Sequence, residues 1–303
     1  MITKIIDLIL TTIYWIISIP FGVIVVNSWM RQRWNKILPN NIGDDINYYL
    51  VKTLSGKRVV NYRNIFHKGL KIKNILCIGS IVDWMTNRNS IIWGSGVMYG
   101  KEDRMRNKPL RVCAVRGPLT RNYLLSRNIS CPEIYGDPAL LLPLIYPPKE
   151  VEKKYQLGII AHKLDRNNSI LKSIQSIEDG IIIIDIFNYK CWTDVIDKMN
   201  ECKIIASSSL HGLIISDAYN IPNIWIRFSD KIEGNDFKFQ DYFLSVGRQI
   251  DAPLDLRYNE FDINKIAEIV SNYNMPKISL KNLLNTCPFS LSKEFMKIQE
   301  KLD

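Results

Sequence analysis

Apolar and polar positions along the 303-residue chain fall into two rounds of one alternation, short apolar runs followed by stretches of helical period. In the first round, residues 44–54 predict a helix, 58–62, 75–78 and 91–93 predict strands, and 112–115 predicts a strand feeding a helix over 118–126. A short strand is expected at 134–135. The segment 141–154, LLPLIYPPKEVEKK, predicts a linker, because Pro143, Pro147 and Pro148 bar a helix through it. The second round runs strand 157–161, helix 169–175, strand 181–186, helix 193–200, strand 204–206, helix 210–219 and strand 223–226. This pattern implies two consecutive parallel-sheet α/β domains, 37–145 and 146–303, facing a cleft where their strand ends point, the second closing with C-terminal helices.

Residues 1–36 stand apart. From position 8 to 26, LILTTIYWIISIPFGVIVV is uncharged over nineteen residues, and Arg31, Arg33 and Lys36 with Trp29 and Trp34 follow it. An apolar run with a basic, aromatic flank predicts a membrane segment whose flank is cytoplasmic. Pro20 and Gly22 leave open whether it spans, re-enters or lies on the bilayer, and a buried core element is the alternative. A chain beginning near Leu38 is expected to stay folded and soluble.

Composition adds the charge. Residues 1–110 hold 16 basic and 6 acidic side chains of the 40 and 30 in the chain, so the whole +10 excess sits in the first third. Such a face suits an anionic partner such as lipid headgroups or a phosphorylated substrate. The six cysteines form no CxxC pair, which argues against a zinc ribbon or dithiol centre, and three histidines are too few for an imidazole metal cage.

Three segments carry candidate chemistry. WGSGVMYG, with Gly94, Gly96 and Gly100, departs from GxGxxG spacing and so disfavours a dinucleotide site, while still letting a backbone approach a ligand. In ASSSLHGLIISDAYNIP, residues 206–222, a strand ends in Ser207, Ser208 and Ser209 and runs into a helix carrying His211 and Gly212, a cradle for phosphate or carboxylate. The alternative is that the serines merely cap the helix. In CAVRGPLTRNYLL, Arg116 and Arg121 flank a helix start and form a candidate anion clamp. Asp137 is a candidate carboxylate or a turn starter, and His67 and His162 lack a comparable setting.

Five ordered blocks, NNIGDDINYYLVKTLSGK, IIWGSGVM, AVRGPLTRNYLLSRNISCPEIYGDPALLLP, SSSLHGLIISDAYNIPNIW and FKFQDYFLSVG, resemble the polysaccharide pyruvyltransferase family over residues 40–247. The resemblance implies a GT-B-like pair of Rossmann-type domains and transfer of an enolpyruvyl group from phosphoenolpyruvate onto two hydroxyls of a glycan or lipid-linked saccharide, making a cyclic ketal. It implies Arg116 as donor ligand and His211 as general acid/base. Asn41, Asp44, Gly94, Gly96, Ser208, Ser209 and Leu210 complete the expected substrate-binding set. Some members carry Arg where this chain has Ser209, which leaves Arg121, Arg227 or Lys238 to supply the second clamp. No cofactor, metal or nucleic acid is expected, and the work would be done at the cytoplasmic face of a membrane. A nucleotide-sugar glycosyltransferase and a non-catalytic glycan-assembly protein are the rival expectations.

Overall fold

The computed structural model describes residues 2–100, 104–175, 180–249 and 252–302. Its first sheet is parallel and five-stranded, built from β1 (Val23–Val26), β4 (Arg58–Asn61), β5 (Asn74–Leu76), β6 (Ser90–Trp93) and β7 (Arg111–Ala114), in the order β4-β1-β5-β6-β7. Strands β2 (Arg31–Arg33) and β3 (Lys36–Leu38) form a separate antiparallel hairpin. The second sheet, also parallel, contains β8 (Tyr155–Ile160), β9 (Ile181–Ile183), β10 (Cys202–Ser207), β11 (Asn223–Arg227) and β12 (Leu254–Asp255), in the order β12-β11-β10-β8-β9. Renumbered within each sheet, both orders are 2-1-3-4-5. The fold is therefore one doubly wound pattern used twice.

The helices are α1 (Ile2–Ser18), α2 (Ile42–Ser55), α3 (Val82–Met85), α4 (Pro118–Leu125), α5 (Leu142–Ile145), α6 (Ser169–Gln175), α7 (Trp192–Asn200), α8 (Leu210–Ala218), α9 (Phe237–Ser245), α10 (Ile263–Ser271), α11 (Leu280–Asn285) and α12 (Lys293–Lys301). Alternation along β1 divides its neighbours. Val25 packs with Val60 and with Tyr14 of α1, while Ile24 and Val26 face the core that holds Ile46 and Leu50 of α2. Asn41 caps α2 by accepting the Gly43 N–H, and Gly56, at φ +67°, ends it in the left-handed conformation.

The apolar run 8–26 is therefore not one element. Its first part is helix, a short turn over Ile19–Phe21 and Gly22 redirects the chain, and its last four residues are an interior strand. The expected boundary at 36/37 therefore cuts through the first sheet, and a chain starting at Leu38 would lack the strand between β4 and β5. The physical reason is that a fully buried parallel strand is as apolar as a membrane segment, so the two ran together in the pattern. The proline-rich linker also begins later than expected. Pro138–Leu141 and Leu142–Ile145 are helical turns with Leu141 and Leu142 buried, and Pro143 sits in a first turn, where its missing N–H is tolerated.

The two sheets share one apolar core. It runs from Ile24 and Trp93 through Leu141 to Ile160, Leu213 and Tyr242. Polar links cross the same boundary: Ile42 N donates to Ile186 O at 3.0 Å, and Tyr189 donates to Asp45. Chain segments cross it too. Helix α9 leaves the second sheet to pack on α4, and the α11–α12 region returns to the first sheet, where Trp93 Nε1 donates to Leu283 O at 2.9 Å and Ser292 N to Leu54 O at 2.8 Å.

Candidate active site

In a 2-1-3-4-5 sheet the chain leaves strands 1 and 3 in opposite directions, which opens a crevice beyond their carboxyl ends. Here the two crevices face each other. Trp29 follows β1, Gly79 and Ser80 follow β5, His162 and Lys163 follow β8, and Ser209 follows β10, and all of them line one cleft of about 520 Å³. Its size suits a small molecule with part of a second one.

The wall from the second sheet brings Lys163, Lys238 and two histidines to the cleft, with Glu233 as its acidic residue. Ser207 Oγ bonds to Ile160 O and accepts from Ser209 N, and Ser208 Oγ bonds to Asp165 at 3.0 Å while accepting from His162 N, so these two hydroxyls shape the loop. Ser209, the residue before α8, makes no side-chain cap, which leaves the first turn of that helix without one. His211 lies in this turn with Nε2 buried and unbonded. Burial, then the nearby positive charges of Arg116 and Lys238, with a smaller contribution from the neighbouring His162 imidazole, hold its pKa down at about 3, so the imidazole of the free protein is neutral. Lys238 of α9 is buried beside it. Among the described residues no carboxylate pairs with its ammonium, which lies 5.5 Å from the centroid of the Phe239 ring. Burial and Arg116 bring Lys238 down to about 8, with Glu233 opposing. A neutral imidazole, an uncapped helix start and an unpaired ammonium together form an anion seat.

The opposite wall, from the first sheet, is acidic, amide-bearing and aromatic, with Arg104 over the Tyr99 ring as its one cation among the described lining residues. Asn41 Nδ2 donates to Asp44 Oδ2 at 2.8 Å, and Asn40, Asn41 and Asp44 line the cleft with Trp29, Trp84 and Tyr99. Trp29 and Trp84 meet edge to face, 5.2 Å between centroids. Burial, together with the neighbouring Asp45, raises Asp44 to about 7. Gly43 touches the other wall: a Cβ there would lie 2.0 Å from His211 Nδ1, so only glycine lets α2 approach the imidazole.

The expected site residues divide. His211, Ser209, Leu210, Asn41, Asp44 and Lys238 line the cleft. Arg116 does not. It is completely buried, with Nε on Asp241 at 2.9 Å, Nη2 on Val97 O at 2.8 Å and Nη1 on Ser80 Oγ, so it stands behind Ser80 and holds α9 to the first sheet. Gly96 makes room for it, since a Cβ there would lie 2.2 Å from its guanidinium carbon. Gly94, at φ +84°, lies against Pro138 in the packed interior. Arg121 bonds to Cys131 O, Arg227 pairs with Asp236 beside a different cavity, and Ser208 is buried under His162. Asp137 caps the turn after it through Ala139 N.

Sequence reasoning missed His162, Lys163, Trp29, Trp84 and Gly43 at the site. The usable signal was positional: His162 and Trp29 sit just past the first strand of each sheet, where this topology places ligands. His162, held down at about 4 by burial and two lysines, is a second neutral imidazole in the cleft. Among the described residues no group of three or more His, Cys, Asp or Glu side chains is gathered as metal ligands.

Fold and cleft thus define a two-sheet α/β protein with one cleft between its halves, lined from both sheets. Comparison with known proteins makes this specific: residues 41–230 match the polysaccharide pyruvyl transferase family, and the chain belongs to that family. It is 30% identical over 222 residues to an uncharacterized protein of Acanthamoeba polyphaga mimivirus, covering 70% of this chain and 72% of that one. It is also 26% identical over 212 residues to the succinoglycan biosynthesis protein ExoV of Rhizobium meliloti (strain 1021), covering 68% of this chain and 62% of that protein. An uncharacterized Klebsiella pneumoniae subsp. pneumoniae NTUH-K2044 structure superposes with a TM-score of 0.41 at 14% identity, over 78% of this chain and 93% of that one. Family membership implies a transferase, and at the level of the family it supports pyruvyl transfer to polysaccharide.

Proposed function

We propose that the donor is phosphoenolpyruvate, that the acceptor is a sugar of a polysaccharide or of its lipid-linked precursor, and that the product is a cyclic pyruvate ketal, formed in a GT-B-type cleft. The observation that carries this reading is the unpaired, buried Lys238 beside the unbonded Nε2 of His211 and the uncapped start of α8. Phosphoenolpyruvate brings a phosphate and a carboxylate, and this wall supplies donors for both. Lys238 thereby fills the role left open by Ser209.

The chemistry divides between the walls. One acceptor hydroxyl oxygen bonds to C2 of the donor while C3 takes a proton. The C2–O bond to phosphate then breaks, and the second hydroxyl bonds to C2 and loses its proton, so one phosphate leaves for each ketal formed. His211 is the acid on the donor side. Bound anionic groups offset the positive field of Lys238 and Arg116 and raise its pKa from about 3, so protonation is coupled to donor binding. Asp44, titrating near 7, is placed to take a proton from an acceptor hydroxyl, and Trp29 and Trp84 offer ring surfaces for a sugar.

The test is ligand choice followed by turnover. Phosphoenolpyruvate should raise the melting temperature where UDP- and GDP-sugars do not, and incubation with donor and saccharide should release phosphate and increase the acceptor mass by pyruvate less one water. Stabilisation by nucleotide sugars alone would replace this reading with glycosyl transfer. Donor binding without any turnover across a panel of lipid-linked sugars would favour a non-catalytic role.

A further inference from the structure

Helix α1 is amphipathic in the reverse sense. Asp7, Thr11, Tyr14 and Ser18, one stripe at helical spacing, are buried against the protein, whereas Ile5, Ile6, Ile9, Ile13, Ile16 and Ile17 are exposed. Ile19 and Phe21 extend the exposed face beyond the helix, Phe21 at 71% exposure. Phe66 joins it from the side, since its N–H donates to Thr12 Oγ1 at 2.9 Å. Isolated exposed apolar side chains need no explanation, but a continuous row of this length marks a contact surface.

The buried stripe is bound in place. Arg33 and Arg31 pair with Asp7, Thr11 Oγ1 donates to Gln32 O at 3.2 Å and accepts from Trp34 N, and Arg58 Nη1 lies 3.4 Å from Ser18 Oγ. Residues Thr3–Phe21 meet the length and composition of a membrane span. A span, however, would strip these partners from Asp7 and carry the polar stripe into hydrocarbon. The rim of the isoleucine face is positive. Between Asp45 and Asp83 the chain has no acidic residue, and in the first 40 residues the sole acid is the buried Asp7; of the basic residues in that stretch, Lys52 and Arg63 lie elsewhere, over Tyr48 and Trp29. Arg58 lies over the Phe21 ring, 4.6 Å from its centroid, and Lys57 flanks Gly22.

We propose that α1 lies in the plane of an anionic phospholipid surface, with its isoleucine row, Phe21 and Phe66 set into the headgroup boundary, its basic rim on the lipid phosphates, and its polar stripe still packed on the first sheet. Anionic lipid is the occupant because charge complementarity selects it. A second copy of this chain would bring an identical basic rim against the first. This proposal stands independently of the donor and acceptor chemistry.

The experiment is sedimentation of the full chain with phosphatidylcholine vesicles, with and without one-third phosphatidylglycerol. Binding should require the anionic lipid, weaken at least tenfold between about 0.1 M and about 1 M salt, and be released by alkaline carbonate. Ile9→Glu with Ile13→Glu should abolish it while the thermal unfolding transition stays in place. Lys57→Glu with Lys68→Glu provides a second arm that does not depend on how the isoleucine pair folds: it leaves the apolar row intact and should weaken binding several-fold. Carbonate-resistant protein would establish a span and overturn the proposal. So would unchanged binding by both double variants, or a dimer that the isoleucine variant converts to monomer without any lipid binding by the parent chain.

Discussion

The two sheets share a strand order but meet the cleft with opposite chemistry. Helix α2, from the first sheet, starts with Asn41 as its cap and with Asp44 and Asp45 in its first turn, so its positive dipole end is already satisfied by its own side chains. Helix α8, from the second, starts with Leu210 and His211 behind an unused Ser209 hydroxyl and has no acidic residue in its first turn. A helix start at a switch point seats an anion only when its own sequence leaves it open. Closed with carboxyl side chains, the same element presents hydrogen-bonding groups to neutral hydroxyls instead. This difference is why the donor is assigned to the second sheet's wall and the acceptor to the first.

The largest effect should come from removing the strand that makes the sheets equivalent. A chain starting at Leu38 loses β1, which pairs with both β4 and β5, together with the helix covering Val25 and Val60. Domain stability is about 5–15 kcal/mol in all, so the truncated protein should show no cooperative thermal transition. A folded, soluble product would mean that the first sheet does not depend on β1 as the second depends on β8.

Next in size is the contrast between the walls themselves. His211→Gln should lower kcat by about 100-fold to 10,000-fold with a modest change in donor KM, because the proton carrier is lost while the seat remains. Lys238→Met should do the reverse, raising donor KM by about 10-fold to 100-fold with a smaller change in kcat, as expected for one charge-assisted contact. The wild-type seat should also weaken as pH rises through about 8, where Lys238 gives up its charge. Steady-state constants for both variants would show the split; if Lys238→Met leaves donor KM at the wild-type value, the anion seat is wrongly placed. Arg116→Lys belongs to neither group. Its fork ties Asp241 and Ser80 in the interior, so that change should lower the melting temperature before it alters donor kinetics.

What could be read from the chain, and what could not, follows from the range of the interactions. The second round of elements was legible because strands such as Ile204–Ile205 and the amphipathic α7 carry their burial pattern locally. His211 was legible because a strand, a serine run and a helix lie consecutively in one segment. Lys238 is legible in the sequence as a substitute clamp, but that it has no counter-ion among the described residues depends on α9 crossing back to α4, which no local pattern records. The same crossing places Asp241 against Arg116 and takes that guanidinium out of the cleft, 125 residues away in sequence. The inward polar stripe of α1 was present at helical spacing, yet the uncharged run masked it, since a window average ignores which face each residue occupies.

The smallest expected effect separates the walls by their response to pH. The native fold raises Asp44 from 3.8 to about 7, so between those values the folded protein holds a proton that the unfolded chain has released. Its contribution to stability is full below about 3.8, declines as pH rises and is lost once pH passes about 7. Asp44→Asn removes that dependence while keeping an oxygen for Asn41 to donate to. The melting temperature of the variant should therefore gain on the wild type progressively from about pH 4 to about pH 7, by a few degrees, and hold a constant lead above that. The second wall has the opposite sign: His162, depressed to about 4, takes up its proton on unfolding, so His162→Gln should gain on the wild type as pH falls below about 6.5. Melting curves of the two variants across this range should diverge from wild type in opposite directions. A constant offset for Asp44→Asn at every pH would mean that its carboxyl is ionised in the fold, and the first wall would then be a charged one.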